Sequence, residues 1–151
     1  MNPATSGDTG DPPGLDLPWC GSDDVSVTVC WEHDGKGHLN GQVIAENTGG
    51  RACRLPGKPH VKPLGQDGKP LPVQNVITLE LRHPGYVIIE PGQRAAAFVG
   101  WAGWQGPKAS SRAQVTWRHG SAVAEVQGPA QPASTTPPCN ISSTWFRLLG
   151  G

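Results

Sequence analysis

The stretch from Asn47 to Val61 constrains the fold of this chain more than any other part of the sequence. It starts at the end of an alternating apolar segment, passes through Asn47-Thr48-Gly49-Gly50, and continues to Cys53 and two prolines. Glycine accepts backbone angles that other residues avoid, so Gly49-Gly50 predicts a sharp turn. The prolines exclude a helix and suit the edge or corner of a sheet. We therefore expect two strands joined by a tight turn, with a cysteine just after the turn.

A hairpin is predicted immediately before this stretch. Residues 23–32 alternate with period two, which is typical of a strand with one buried face. Residues 33–37 form the turn and residues 39–47 the return strand. In this antiparallel register the numbers of paired residues sum to about 71, so Cys20 comes within reach of Cys53. The face expected to be buried carries Val25, Val27, Val29 and Trp31.

The four cysteines, at positions 20, 30, 53 and 139, lack any Cys-x-x-Cys spacing and any paired histidines at zinc-ligand distance. This pattern predicts two disulfides, with free thiols as the alternative. The hairpin register proposes Cys20–Cys53 and leaves Cys30 for Cys139. The second bridge requires the C-terminal segment to run beside the face that Cys30 occupies. Disulfides persist in oxidising compartments, so we expect an extracytoplasmic protein, either secreted or anchored at the cell surface.

Turn signals separate the remaining apolar segments at short, regular intervals. The chain contains 21 glycines and 16 prolines, together about a quarter of its residues, which suits a β protein with many turns. We predict an all-β, immunoglobulin-like β-sandwich of about seven to nine short strands, stapled by the disulfides. Beyond the first hairpin, strands are expected near residues 60–64, 77–81, 86–90, 94–101, 113–118, 122–126 and 145–149, with a short extended piece at 71–73.

The length of 151 residues predicts one domain. We expect residues 1–18 to be an unstructured leader and residues 19–151 to form the sandwich, with an irregular Pro/Ser/Thr-rich segment at 128–138. Lys plus Arg and Asp plus Glu each number 12, without a basic run, so no nucleic-acid partner is expected. No apolar stretch is long enough for a transmembrane segment. No cofactor is predicted.

At this point the sequence resembles a known family. The run ENTGGRACRLPGKPHVKPLGQDGKPLP, residues 46–72, is similar to the core of domain of unknown function 4232. The later run VIIEPGQRAAAFVGW, residues 87–101, is similar to the family's Pro-Gly step and small-residue strand. An opening Cys20 and a late Pro-Pro-Cys ending at Cys139 also fit, so the resemblance covers roughly residues 20–149.

The resemblance implies an exported actinobacterial protein, often a lipoprotein whose precursor is lipid-anchored, with an immunoglobulin-like β domain and no assigned activity. Members usually carry a third cysteine in the loop that residues 101–108 occupy here. This chain has no cysteine in that loop and carries Cys30 instead. The family pattern supplies no catalytic residue, and we expect the protein not to be an enzyme.

Six tryptophans are the main functional signal of the sequence. Trp31 and Trp117 fall on alternating apolar faces, so we expect them in the core. Trp101 and Trp104 lie at a strand end and in the glycine-rich loop WAGWQG, where full burial is harder. Exposed aromatics can stack on sugars or anchor a protein partner. We therefore take Trp101 and Trp104 as candidate ligand-binding residues; the alternative is that they cap the end of the sandwich.

These observations lead to three hypotheses for function. The first is a non-enzymatic binding or interaction module at the cell surface, for an unknown protein or glycan. The second is a carbohydrate-binding module that uses exposed Trp101 and Trp104. The third is an extracellular metal-binding domain that uses His33 and His38, which flank the first turn; against it stands the alternative that these histidines are simply solvated.

Overall fold

The computed structural model describes residues 14–77 and 85–150, and this part of the chain is all-β, with no helix. The predicted class, an all-β fold with a disulfide, is confirmed. No helix among these residues is long and apolar enough to cross a membrane. The strands are β1 Val25–His33, β2 Leu39–Asn47, β3 Cys53–Pro56, β4 His60–Gly65, β5 Gln74–Ile77, β6 Tyr86–Ile89, β7 Arg94–Trp101, β8 Ala109–Trp117, β9 Gly120–Gln127, β10 Asn140–Ser143 and β11 Arg147–Leu148.

Nine of these strands form one mixed sheet in the order β4-β8-β9-β1-β2-β7-β10-β5, with β11 also pairing with β7. The β1–β9 and β10–β5 pairs are parallel, and the other pairs are antiparallel. Strands β3 and β6 form a separate two-stranded sheet. The large sheet curls until it nearly closes like a barrel. The predicted sandwich of seven to nine strands is therefore only an approximate description of this architecture.

Side chains join the two ends of the large sheet, where backbone pairing stops. The Asn75 carboxamide on β5 accepts from the Val61 N–H and donates to the Val61 C=O on β4, both at 2.9 Å. The side chain thus makes the two hydrogen bonds that the backbone of a neighbouring strand would otherwise make to Val61. The Ser143 hydroxyl on β10 donates to the Pro59 carbonyl just before β4 at 2.7 Å. These bonds satisfy edge groups that would otherwise remain open to another chain.

The core lies inside this curled sheet. The predicted valine face of β1 is buried, as is Trp31 at its end. On β7 the residues with odd numbers point inward, from Ala95 to Trp101. Burying a large apolar side chain stabilises a fold by about 1.5–3 kcal/mol, so these alternating strands provide the main driving force. The first hairpin is confirmed: Val25 pairs with Asn47 and His33 with Leu39.

Asn47, at the end of β2, connects the two sheets. It is 1% exposed, and its Nδ2 donates to the Ile89 carbonyl at 2.8 Å and to the Arg51 carbonyl at 2.9 Å. Its Oδ1 accepts from the Gly49 N–H at 2.9 Å. Neither Gly49 nor Gly50 takes a positive φ. The predicted sharp turn is therefore held by the asparagine side chain rather than by glycine's backbone freedom.

The predicted Cys20–Cys53 disulfide is present, with a Cα–Cα distance of 5.0 Å. It does not lie on the β1–β2 ladder, because Cys53 belongs to β3 of the small sheet. The segment before β1 runs parallel to β3: Cys20 N–H donates to Arg54 O, and Arg54 N–H donates to Pro18 O, both at 2.8 Å. In the chain-entropy account, a bridge spanning 33 residues contributes about 4 kcal/mol.

The predicted Cys30–Cys139 bridge is wrong, because both cysteines are free thiols. Cys30 lies on β1 and Cys139 just precedes β10, and strands β2 and β7 lie between them in the sheet. The three strand spacings between them amount to about 14 Å across the sheet alone, whereas a disulfide needs Cα atoms within about 7 Å. The C-terminal segment runs beside β7 and not beside β1.

Strands β3 and β10 were not predicted, and β5 shares only Ile77 with the predicted strand at 77–81. All four residues of β3 are buried, so this strand lacks the alternation that identifies a half-buried strand. Strand β10 follows the irregular segment with only four residues. The predicted strand at 77–81 lies mostly outside the described residues, as do residues 1–13 of the predicted leader.

We predict that Asn47→Ala destabilises the protein by about 3 kcal/mol, because the buried Ile89 carbonyl and the partly buried Arg51 carbonyl lose their donor. Urea unfolding measures this loss. Asn40→Ala is the matched control, because Asn40 is exposed on the same strand and makes no side-chain hydrogen bond within the described residues. We expect it to change stability by less than about 0.5 kcal/mol. Equal losses in the two variants would contradict the role assigned to Asn47.

Candidate functional site

The expected exposure of Trp101 and Trp104 is wrong. They are 0% and 5% exposed, and the centroid of the Trp101 ring lies 6.1 Å from those of both Trp31 and Trp104. The loop after β7 folds inward, since Trp104 Nε1 donates to the Pro107 carbonyl at 2.7 Å. The Trp104 N–H donates to Ser134 of the irregular segment at 3.0 Å. The two rings cap the end of the core and offer no platform to a sugar or a protein.

An open groove lies on the outer face of β1, β2 and β7. We call it the outer groove; its main part has a volume of about 530 Å³. A smaller depression of about 190 Å³ continues from Cys30 towards Arg94, and another of about 150 Å³ continues from Asn40 towards Ser142. The outer groove therefore crosses four neighbouring strands. The main part is lined by Cys30, Glu32, Asn40, Gly41, Gln42, Phe98 and Val99.

Phe98 is the aromatic side chain in the main part of the outer groove and is 58% exposed. It points outward because its neighbours Ala97 and Val99 face the core on the alternating strand β7. Gly100, the next outward position, has no side chain; a Cβ there would lie 3.6 Å from Ser142 Oγ. The missing side chain at Gly100 leaves space beside the Phe98 ring, so a ligand can reach the face of that ring.

Polar side chains surround this ring. Glu32, Asn40 and Gln42 make no side-chain hydrogen bond or ion pair within the described part of the chain. By contrast, the amides of Asn47 and Asn75 both donate and accept hydrogen bonds that hold the fold. The donors and acceptors of the outer groove are therefore available to a ligand, at little cost to the stability of the fold.

The charge of the outer groove is close to balanced. Glu46 and Arg94 lie directly opposite each other on β2 and β7. Opposite charges at such cross-strand positions offset one another. Glu32 remains as the carboxylate without a facing cation in the main part of the groove. A neutral ligand rich in hydroxyl or amide groups suits this lining better than a strongly charged one.

Cys30 lies in the outer groove as a partly buried thiol, with its Sγ 3.5 Å from Gln127 Oε1. Burial raises the pKa of the Cys30 thiol. The thiol is therefore mainly protonated at neutral pH and is a weaker nucleophile than an ordinary exposed cysteine. Its burial disfavours a catalytic role.

The histidines of the first turn do not form a metal centre. His38 Nδ1 lies 3.3 Å from Asp34 Oδ2. Asp34 Oδ1 accepts from the Lys36 N–H at 2.7 Å and from the His38 N–H at 3.1 Å. The bond from Lys36, with a smaller contribution from His38, lowers the pKa of the Asp34 carboxyl. Within residues 14–77 and 85–150, no three His, Cys, Asp or Glu side chains are grouped to hold a metal ion.

Sequence reasoning missed Phe98, Asn40, Gln42 and Glu32 as site residues. One signal was present: in the run Ala-Ala-Ala-Phe-Val-Gly-Trp, Phe98 and Trp101 occupy opposite parities. A strand with one buried face exposes one of the two. Because both residues are apolar, the sequence does not show which of the two faces the core. The neighbouring strands in the structure show that it is Trp101.

We predict two reactive thiols per chain when the protein is unfolded without reductant, and four after reduction. Titration with a thiol-specific chromogenic disulfide measures both values. A value of zero before reduction would show that Cys30 and Cys139 are bonded. In the folded protein, alkylation of Cys30 should keep accelerating above the pH at which an ordinary thiol has ionised, because burial raises the pKa of Cys30.

We predict that Trp117→Phe costs about 1–3 kcal/mol more than Trp101→Phe. Trp117 Nε1 donates to the Cys20 carbonyl at 2.8 Å, whereas the buried Trp101 Nε1 has no hydrogen-bond partner in the described part of the chain. Both substitutions remove the same atoms from buried sites, so the difference isolates the hydrogen bond. Urea unfolding of both variants measures it. Equal losses would show that the Trp117 bond adds nothing to stability.

The comparisons with curated proteins and with solved structures gave no match. The profile of one protein family, Domain of unknown function (DUF4232), matches residues 20–146. This match covers most of the chain, including both disulfide cysteines and every strand from β1 to β10. The chain belongs to the DUF4232 family.

Proposed function

We propose that this protein is a non-enzymatic binding module that acts outside the cytoplasm, with the outer groove as its contact surface. The observation that carries the proposal is the exposed ring of Phe98 beside the unused polar side chains of Asn40, Gln42 and Glu32. Aromatic side chains set among available hydrogen-bonding groups are typical of recognition sites. The groove replaces Trp101 and Trp104, which are buried, as the proposed site.

The Cys20–Cys53 disulfide supports action in an oxidising compartment. The resemblance to exported actinobacterial proteins, many of them lipoproteins, supports a place at the cell surface, and we propose such a location for this chain. The partner would then be a protein or a glycan of the surface or its surroundings.

The position of the groove determines how it would bind. Strands β1, β2 and β7 each have a partner strand on both sides, so their backbone groups are already engaged. A peptide that binds by adding a strand needs an open sheet edge, which the groove does not offer. Recognition in the groove therefore depends on side chains alone.

A carbohydrate ligand is the second, more specific candidate, and the lining of the groove favours it. Sugar hydroxyls both donate and accept, as do the amides of Asn40 and Gln42. The apolar face of a sugar ring fits against an exposed aromatic such as Phe98. The nearly balanced charge of the lining favours a neutral glycan over an acidic one.

Binding of the fluorescently labelled domain to intact actinobacterial cells, measured by flow cytometry, tests the proposal. We predict that Phe98→Ala lowers the bound signal at least about fivefold, because an anchor residue carries about 1–2 kcal/mol of binding energy. Val123→Ala is the matched control, since Val123 is 59% exposed on β9 but does not line the groove. Its binding should match that of the unmodified protein.

Phe98→Ala binding as strongly as the unmodified protein would rule out the outer groove as the contact surface. Competition with soluble neutral polysaccharides separates the two kinds of ligand. Loss of cell binding in their presence supports a glycan. Undiminished binding across all of them leaves a protein partner and removes the carbohydrate candidate.

A further inference from the structure

A second cluster of side chains lies away from the outer groove, where the segment before β1 meets β3, β6 and the β8–β9 turn. The His119 ring stacks on Trp19, with centroids 4.6 Å apart and planes 16° from parallel. The Arg54 guanidinium carbon lies 3.8 Å from the centroid of the same Trp19 ring. Both groups therefore lie at stacking distance from Trp19.

Tyr86 of β6 completes the surroundings of Arg54. Its ring centroid lies 5.2 Å from the guanidinium carbon, and it meets Trp19 edge to face at 5.6 Å. The guanidinium is therefore held by two aromatic rings. Such contacts fix the plane of the group and stabilise its charge.

The hydrogen bonding of Arg54 is incomplete. Its Nε donates to the Leu17 carbonyl at 2.8 Å. The Nη groups have no hydrogen bond and no carboxylate partner among residues 14–77 and 85–150. Arg54 is only 8% exposed, yet the Nη atoms still contact solvent.

This combination is unusual for a side-chain charge that is mostly shielded from water. Arginine is rarely this buried without an anion, because an unpaired buried charge costs free energy. Aromatic faces attract the cation, but they leave its in-plane N–H donors without acceptors. The side chain is already held rigid, so a ligand would not have to order it on binding.

We propose that Arg54 is the recognition residue of an oxyanion site, in which a carboxylate or phosphate group of a ligand accepts bidentate hydrogen bonds from the Nη edge. The fork of a guanidinium matches the paired oxygens of such groups. The aromatic rings of Trp19 and Tyr86 position the fork and keep water from its faces. The oxyanion site is separate from the outer groove, so an experiment that rejects one proposal leaves the other standing.

Inorganic phosphate and acetate are the probes, each compared with sodium chloride at equal ionic strength. Binding is followed by tryptophan fluorescence, because Trp19 touches Arg54, and by the NMR signal of the Arg54 Nε–H group in the unmodified protein. We expect phosphate or acetate, but not chloride, to shift both signals in a saturable way. A response to phosphate alone identifies a phosphate group as the ligand, and a response to acetate alone identifies a carboxylate.

Arg54→Lys keeps the positive charge and removes the forked pair of Nη donors. We therefore expect it to raise the dissociation constant for the probe at least about tenfold. Arg112→Lys is the matched control, since Arg112 is exposed on β8 and pairs with Glu125 at 3.6 Å. It should leave binding unchanged. Equal binding by Arg54→Lys and by the unmodified protein would overturn the proposal.

The NMR measurement keeps the proposal testable if Arg54→Lys does not fold. An Arg54 Nε–H signal in the unmodified protein that responds identically to phosphate, acetate and chloride would also overturn it.

Discussion

The side chain of Asn47 is the constraint on which the arrangement of the two sheets depends. Its carboxamide lies at the end of β2, where Oδ1 accepts from the Gly49 N–H of the turn. The Nδ2 group donates to the Ile89 carbonyl on β6. The backbone of the same residue bonds to Gln93 and Gly92, at the turn that leads into β7. The large and small sheets therefore meet at one buried polar group whose hydrogen bonds are all satisfied. Such a group specifies a single arrangement, since any other leaves it unpaired inside the core.

The disulfide reinforces this junction from the other side of β3. Cys53 follows the Asn47 turn, and Cys20 lies on the segment parallel to β3. This ties the start of the domain to the small sheet and brings Trp19 beside Arg54. The proposed oxyanion site is thus a product of the same junction, while the outer groove is built on the far more regular ladder of β1, β2 and β7.

The register of β10 on β7 explains why Cys139 is unpaired. Ile141 lies opposite Trp101, so continuing this antiparallel register places Cys139 opposite Gly103. Gly103 falls in the loop after β7, which contains no cysteine. It packs so closely that a Cβ would come within 2.6 Å of the Thr136 carbonyl. Cys139 therefore has no cysteine opposite it, and Cys30 lies on a distant strand.

The sequence by itself determined the features that depend on neighbouring residues. Alternation identified the buried face of β1, turn residues located the first hairpin, and its register brought Cys20 near Cys53. The family resemblance followed from the same local motifs. Local patterns suffice here because side-chain period and turn chemistry are set by residues a few positions apart.

Only the tertiary structure decided the order of strands, the curling of the sheet and the site. Residues 30 and 139 were paired by elimination, yet β2 and β7 separate them. Trp101 and Phe98 are both large and apolar on one strand, and the partner strands and the covering loop decided that Trp101 enters the core. Burial is a property of everything that packs on a residue, and those contacts join positions far apart in the chain.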